Sequence, residues 1–205
     1  MDELSGTKEL IFDAFIEMTS SLGFENVSMR NIADKVGIRV ASIYNHYESK
    51  AKILEYAYNY YSKQQCDNRK PLDEIKKLIE TLSAEEILTF LTHSLETDDP
   101  KKHVRMGFIR KIIYMRLFQD QVANAIFEES NSNNAEYVIY ALKHGIETGR
   151  IESSFDLEIF ADLLICSQQA MGIKTFADPS CTAVQLKQQK RIIALMARLL
   201  SSAMK

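Results

Sequence analysis

The fold of this protein is decided by residues 28–52, whose sequence is SMRNIADKVGIRVASIYNHYESKAK. Ala33, Gly37 and Ile43 stand at offsets of four and six residues within this segment. Two helices that cross at a steep angle need a small residue at their closest approach, and Ala33 supplies it. Gly37 tolerates the positive φ that the turn requires, while Ile43 anchors the second helix inward. With Ser28 as the N-cap of the first helix, the spacing predicts a helix-turn-helix.

The second helix of this motif is predicted to run from Val40 to His46, and its outward positions carry short or hydrogen-bonding side chains. Between Ser28 and Lys52, five basic residues outnumber two acidic ones, although the whole chain has a formal net charge of −3. A small positive region on an acidic protein is compatible with binding to the phosphates of a nucleic acid. The outward residues are Val40, Ala41, Ser42, Tyr44, Asn45 and His46.

Apolar residues elsewhere recur at helical spacing, so the sequence predicts an all-α fold. The segment 131–134, Asn-Ser-Asn-Asn, forms helix poorly, and the helix that contains it can break there. Ile11, Phe15, Met18 and Leu22 form the apolar face of a first helix that Gly23 ends. Further helices are predicted from Ser49, from a Ser83–Glu86 capping box, from Asp99-Pro100 to Phe118, from Gln121 to Thr148, from Asp156 to Phe176 and from Thr182 to Met204.

The composition restricts the class of protein. A hydrophobic fraction of 46% is enough for a core, and no apolar run approaches the length of about 20 residues that spans a bilayer. Three widely separated cysteines and the lack of an apolar leader favour a reducing, cytoplasmic location. We find no phosphate-binding glycine loop and no nucleophile motif, so we expect neither an enzyme nor a cofactor. His144 and Glu147 share a helix face but lack a third ligand, so no metal site is expected.

Residues from Ile11 to Tyr61 resemble the DNA-binding domain of the tetracycline-repressor (TetR) family. A later stretch, Gly145–Ile151, resembles a recurrent part of that family's C-terminal domain more weakly. The resemblance implies a helix-turn-helix domain over residues 1–48 and a helical effector-binding and dimerisation domain over residues 49–205, with a connecting helix over about 49–65. The residues that carry the main resemblance are Ile11–Phe15, Gly23-Phe24, Val27–Ala33, Val36–Ile38, Ser42–Tyr47 and Ser49-Lys50.

The same resemblance implies which residues contact DNA. Ser28 would cap its helix and touch a phosphate, Tyr44 and Lys50 would bind phosphates, and Tyr47 would pack inward. Arg39 stands where a small hydroxyl residue is common in the family, and it could add a phosphate or guanine contact. The base edges or the sugar-phosphate walls would be faced by Val40, Ala41, Ser42, Asn45 and His46.

The C-terminal domain is expected to pair with its copy, because a single short recognition helix contacts only a few base pairs. The resemblance implies a four-helix bundle made by helices 156–176 and 182–204 of each subunit. Helix 156–176 is apolar on much of its circumference, which is typical of burial within a subunit or at an interface. For the interface we predict Phe160, Leu164, Met171, Ile193, Met196 and Leu200.

An effector is expected among helices 72–148, which are rich in methionine and aromatic residues that line adaptable pockets. These residues can equally form an ordinary core. The expected function is therefore a repressor that a small apolar or amphipathic effector releases from a palindromic operator. An activator, or a regulator that binds a protein partner, remains the alternative. The candidate effector contacts are Phe90, His93, Met106, Ile109, Tyr114, Phe118, Tyr137 and His144.

Overall fold

The computed structural model describes residues 4–67, 69, 71–93, 99–177 and 182–204, without the side chains of 93, 175–177, 182–183 and 185–186. Within these ranges the secondary structure is helical, apart from an isolated antiparallel bridge between Ile151 and Met204. The predicted all-α fold is therefore confirmed. The elements are α1 Gly6–Leu22, the short 3-10 helix η1 Phe24–Asn26, α2 Met29–Val36, α3 Val40–Tyr44, α4 Lys50–Asp67, α5 Leu72–Thr81, α6 Ala84–His93, α7 Pro100–Arg116, α8 Gln121–Glu147, α9 Leu157–Ala177 and α10 Thr182–Ala203.

Helix starts follow the predicted capping residues. The Asp99 carboxylate accepts hydrogen bonds from two backbone N–H groups of the first turn of α7, at 2.9 and 3.3 Å. Ser83 and Glu86 form the predicted capping box, with the Ser83 N–H donating to Glu86 Oε2 at 2.8 Å and the Glu86 N–H donating to Ser83 Oγ at 3.3 Å. Asp156 caps α9 through the N–H of Ile159 at 3.0 Å. Side-chain acceptors thus satisfy N–H groups that a helix start leaves unpaired.

Several details differ from the sequence-based predictions. Helix α8 runs unbroken through residues 131–134, because Val138, Ala141 and Leu142 beyond them are buried and hold the helix by packing. Helix α3 ends two residues earlier than predicted, and α7 ends at Arg116 rather than Phe118. Leu22 is 52% exposed and does not join the apolar face of α1, since the helix ends there and the chain turns.

The chain divides into two compact units. The first is drawn from Met1–Asp67 and Thr97–Phe127 and contains η1, helices α1 to α4, α7 and the start of α8. The predicted functional division at residue 48 stays a prediction. The core of the first unit consists of fully buried side chains, among them Ile11, Phe12, Phe15, Ile32, Ile43, Ile53 and Ile109.

A buried arginine attaches α7 to α1 within the first unit. The Arg105 side chain is 9% exposed, and its guanidinium lies 2.6 Å from an oxygen of Asp13 and 2.5 Å from one of Glu9. Hydrogen bonds from Lys101 and Arg105 hold the pKa of Glu9 below its usual range. The charge of Arg105 is therefore compensated by two carboxylates of α1, as burial of a cation requires.

The second unit is drawn from Asn68–Glu96 and Glu128–Lys205, and α10 packs against both α6 and α9 within it. The segment Gly145–Ile151 closes one end of its core. A Cβ on Gly145 would lie 2.5 Å from Ile151 Cδ1, so this close approach favours glycine. The Arg150 guanidinium donates to the carbonyl oxygens of Ile79 and Leu82, at the end of α5. The segment Gly145–Ile151, which resembles part of the C-terminal domain of the TetR family, therefore has a structural role in this unit.

Candidate nucleic-acid interface

The helix-turn-helix is built on a capping box, a left-handed glycine and three buried side chains. Ser28 Oγ accepts the N–H of Asn31 at 3.1 Å, and the Ser28 N–H donates to Asn31 Oδ1 at 3.1 Å. Gly37 ends α2 with φ 76° and ψ 34°, the left-handed conformation that glycine adopts without strain. Ile32, Ala33 and Ile43 are 0% exposed. The predicted cap, turn and inward anchor of the motif are confirmed.

The outward surface of α3 and of the residues next to it is accessible and carries mostly short or hydrogen-bonding side chains. Tyr44 is 53% exposed although it is aromatic, whereas the adjacent Ile43 is fully buried. Tyr47 is only 5% exposed, and its hydroxyl donates to the Lys8 carbonyl oxygen at 3.3 Å, so the prediction that it packs inward is confirmed. Arg39, Ala41, Tyr44, Asn45 and His46 are exposed, and Val40 and Ser42 are partly exposed.

Two of the predicted contact residues also have structural partners within the domain. The Ser28 hydroxyl lies 2.5 Å from Asn31 Oδ1, so its hydrogen-bonding capacity is largely used in the cap. Lys50 Nζ donates to the Phe24 carbonyl oxygen at 2.7 Å and lies 4.1 Å from the centre of the Phe24 ring. An ammonium group has three N–H donors, so Lys50 retains donors for a phosphate while Phe24 fixes its position.

Salt bridges reduce the positive charge of this region. Lys35 Nζ lies 2.7 Å from Glu17 Oε1, and Lys52 Nζ lies 2.7 Å from Glu55 Oε2. Arg30 and Arg39 are exposed cations of the same region. Residues 28–52 thus offer a modest positive field, which favours a few phosphate contacts over non-specific coating of nucleic acid.

The candidate effector residues divide equally between the two units. Met106, Ile109, Tyr114 and Phe118 belong to the first unit, and Phe90, His93, Tyr137 and His144 to the second. Phe118 is 98% exposed, whereas Ile109 is buried in the core of the first unit. The side chain of His93 lies outside the described residues. The geometry within each unit therefore does not bring all eight residues into one enclosed site.

Three of these side chains have defined neighbours. Tyr114 meets Phe127 edge to face at 5.7 Å in the first unit, and Arg69 lies over the Tyr137 ring at 5.9 Å in the second. His144 Nε2 is 2.7 Å from Glu80 Oε1, which joins α8 to α5. Among the described residues, no group of three His, Cys, Asp or Glu side chains could hold a metal ion. His144 is thus paired with a carboxylate of another helix.

Four of the six residues predicted for a dimer interface lie in the core of the second unit instead. Phe160, Leu164, Met196 and Leu200 are at most 5% exposed and pack with α6 and α8. Met171 is also buried, and Ile193 is partly buried. The prediction rested on the family resemblance and on the apolar circumference of α9, which is typical of burial within a subunit as well as of an interface. A buried side chain of the subunit's own core cannot form its free surface, so the assignment of these four residues is corrected, whereas that of Met171 and Ile193 stays a prediction.

A different apolar stripe of α9 is exposed. Its members follow each other at intervals of four, three, four and three residues, which is the spacing of one helix face that meets another helix. On α10, Leu195 and Leu199 are 55% and 46% exposed at an interval of four. The spacing of the stripe is visible in the sequence. Because the buried face of α9 is equally apolar, the sequence does not show which of the two faces is exposed. The stripe consists of Ile159, Leu163, Cys166, Ala170 and Ile173.

Comparison with protein families and solved structures agrees with this architecture. Residues 11–57 match the family described as bacterial regulatory proteins, tetR family. No curated protein is significantly similar to the chain in sequence. No helix in the described ranges is long and apolar enough to cross a membrane.

Solved structures share the fold over nearly the whole chain. A TetR-family transcriptional regulator from Rhodococcus sp. has a TM-score of 0.64 at 15% identity and covers 93% of this chain and 98% of its own. The fatty acid degradation regulator FadR from Bacillus halodurans has a TM-score of 0.62 at 14% identity, with coverages of 95% and 97%. A transcriptional regulator from Saccharomonospora viridis in complex with choline has a TM-score of 0.62 at 17% identity and covers 95% of this chain and 93% of its own.

Proposed function

Because residues 11–57 identify this chain as a DNA-binding transcriptional regulator of the TetR family, we propose that it is a homodimeric repressor. In this proposal it occupies a palindromic operator, in the cytoplasm, and a small apolar or amphipathic effector releases it. The observation that carries the proposal is the exposed polar surface of α3, which stands on a buried apolar base. A protein surface of this shape and chemistry fits the major groove of DNA.

Each exposed residue of the motif receives a role from its chemistry. Tyr44 donates its phenolic hydroxyl to a phosphate, and Arg39 donates to a phosphate or to guanine. Asn45 and His46 face base edges, where an amide or an imidazole can form hydrogen bonds. Val40, Ala41 and Ser42 line the walls of the groove, and Ser28 supports the helix with its cap.

Lys50 binds a phosphate at the start of α4. Its ammonium group is held by the Phe24 carbonyl oxygen at 2.7 Å, so little side-chain entropy is lost when a phosphate arrives. A contact of this kind raises affinity for all DNA sequences and makes binding depend on salt.

Dimerisation supports sequence-specific binding, since two recognition helices about 34–36 Å apart read two half-sites. The exposed stripe of α9 together with Leu195 and Leu199 of α10 is the face that we assign to the second copy. Its heptad-like spacing matches the spacing of a helix-pairing seam. An isologous pair of such faces gives the two-fold symmetry that a palindromic operator requires.

The effector is proposed to be a small molecule with an apolar part. Met106 and Tyr114 offer polarisable or aromatic contacts within the first unit, and Phe90 and Tyr137 offer aromatic contacts within the second. Of two structures of similar fold, one is named as a regulator of fatty acid degradation and the other is a complex with choline, which is compatible with a small-molecule effector.

A protein partner is the second candidate, and one observation favours it. Phe118 is 98% exposed, and Met115 and Val122 close to it in sequence are 47% and 56% exposed. Exposed apolar clusters on a regulator can bind another protein. Replacing Val122 with Ser separates the two candidates, since it would impair regulation in cells by a protein partner but leave release of DNA by a small molecule unchanged.

The direct test is selection of duplexes from a random library by the purified protein at moderate salt. We expect enrichment of a palindrome. Tyr44→Ala and Lys50→Met should weaken binding to all duplexes, while Asn45→Ala should change the preferred sequence. Glu129→Gln is the control, because this exposed side chain lies on α8. The proposal fails if the folded dimer enriches no sequence, or if all three variants retain wild-type binding.

Repression and release need a separate measurement. A reporter gene placed behind the selected palindrome should be silenced by the protein. A library of amphipathic small molecules is then screened for loss of the protein–DNA complex. Higher reporter expression in the presence of the protein would identify an activator instead.

A further inference from the structure

A cluster of polar side chains joins four elements of the first unit away from α3. Asp120, which precedes α8, accepts the Tyr58 hydroxyl of α4 at 3.0 Å and Nε of Arg116 at 3.0 Å, both on Oδ2. Its other oxygen accepts the N–H groups of Val122 and Ala123 at 3.0 and 3.3 Å. One carboxylate therefore fixes the end of α7, the start of α8 and the middle of α4.

Arg116 extends this cluster to the helix-turn-helix. Its guanidinium lies 4.5 Å from the centre of the Phe24 ring and 3.7 Å from Glu25 Oε1. Phe24 belongs to η1, the short turn between α1 and α2. The Arg116 and Asp120 side chains are 18% and 14% exposed, so solvent screens their interaction less than it screens a surface pair.

Phe24 is also the residue that holds Lys50. Lys50 Nζ takes the Phe24 carbonyl oxygen as acceptor and lies over the same ring that Arg116 contacts. Lys50 begins α4, and Tyr58 lies about two turns further along that helix. Helix α4 is thus fixed at two points, by Phe24 at its start and by Asp120 further along.

We infer that Tyr58, Arg116 and Asp120 are positioning residues for DNA binding, which hold α4 and η1 so that Lys50 meets a phosphate. The inference rests on the proposed phosphate contact of Lys50. In this proposal none of the three residues contacts DNA directly. They act through Phe24 and through the orientation of α4.

The charge state of the cluster supports this role. Burial opposes ionisation of Asp120, but hydrogen bonds from Arg116, Tyr58 and two backbone N–H groups hold its pKa below its usual range. Burial, and then the hydrogen bond to Asp120, raises the pKa of Tyr58 well above its usual range. At neutral pH the carboxylate is therefore charged and the phenol is protonated, as donation from Tyr58 requires.

The test compares two tyrosine variants on one helix. Tyr58→Phe removes the hydroxyl that donates to Asp120. Tyr61→Phe is the matched control, because it removes a hydroxyl from a similarly buried tyrosine of α4 while the Tyr58–Asp120 hydrogen bond stays. The probe is the duplex that the wild-type protein enriches, and thermal unfolding verifies that each variant is folded at the assay temperature.

We expect Tyr58→Phe to weaken binding of this duplex about tenfold, a typical factor for coupling between sites. We also expect it to reduce the dependence of affinity on salt, as Lys50→Met does. Tyr61→Phe should bind as the wild type. Asp120→Asn, which removes the charge of the carboxylate, should act in the same direction as Tyr58→Phe.

A double variant distinguishes positioning from a general loss of stability. If Tyr58 acts through Lys50, Tyr58→Phe should cost almost nothing further in the Lys50→Met protein, whereas independent effects would add. Additive losses, or wild-type binding by Tyr58→Phe, would overturn the inference while leaving the proposed function intact. Wild-type binding by Lys50→Met would remove its premise. Absence of sequence-specific binding by the wild type would overturn the proposed function and the inference together.

Discussion

Helices α3 and α9 differ in whether the sequence of the helix shows which face is exposed. On α3 the buried residue is Ile43, and its neighbour Tyr44 is polar at its tip and 53% exposed. On α9 the neighbours Leu163 and Leu164 are 53% and 1% exposed although they are the same residue type. A partner-binding face can be identified from composition only when its chemistry differs from that of the subunit's core.

The largest expected effect is on association through α9. Leu163→Glu places a carboxylate in the apolar stripe, where it would lose hydration without gaining a partner. We expect dimerisation to weaken by about a hundredfold or more, which corresponds to about 3 kcal/mol. Light scattering after gel filtration measures the change, with Asp162→Asn as a control on the adjacent exposed position. A stable Leu163→Glu dimer would contradict the assigned interface.

Leu164 is the buried counterpart of Leu163, so it should stabilise the folded subunit rather than the dimer. Leu164→Ala should lower the free energy of unfolding by about 3 kcal/mol, through lost burial and the resulting cavity. The measurement is urea denaturation in the monomeric Leu163→Glu background, so that dissociation does not contribute. Equal stability with and without Leu164→Ala would show that Leu164 is not part of the core.

The next largest effect concerns the attachment of α7 to α1. Arg105→Met should cost about 2 kcal/mol, because it leaves Glu9 and Asp13 without their buried cation. Lys101 provides the matched comparison, since it contacts Glu9 at the same kind of distance, 2.7 Å, but is 57% exposed. Lys101→Met should cost less than about 1 kcal/mol. Both values come from chemical denaturation, and similar losses would show that burial does not distinguish the two cations.

The smallest expected effect is on the response of the first unit to acid. Hydrogen bonds lower the pKa of Glu9 from 4.5 and that of Asp120 from 3.8, so each stabilises the folded state when ionised. Their contribution is complete above these ordinary values and is lost as the pH falls through the lowered ones.

Hydrogen exchange, corrected for the intrinsic effect of pH, measures this response. At neutral pH the amides of α1 and α7 should exchange faster in Glu9→Gln than in the wild type, and the difference should shrink as the pH falls below 4.5 and through the lowered pKa of Glu9. A difference that does not depend on pH would contradict the role of the Glu9 charge.

The sequence predicted the helix-turn-helix in detail because each of its parts has a local cause. Ser28 caps α2, Gly37 adopts a left-handed turn, and Ile43 is the anchor that follows at fixed spacing. The end of α3 and the continuity of α8 through residues 131–134 were predicted less well, since both depend on packing against distant segments. The effector residues were selected by type alone, and the two units divide them equally.

The sequence by itself determined the all-α fold, the helix caps and the polar surface of α3, because these follow from spacing and from interactions within a few residues. Only the tertiary structure decided which side of α9 is free, that Arg105 joins α7 to α1, and that Tyr58, Arg116 and Asp120 meet. Leucines on two sides of a helix are equivalent until other helices cover one of them. Polar side chains that lie about 60 to 90 residues apart in the chain become partners only when the fold brings their helices together.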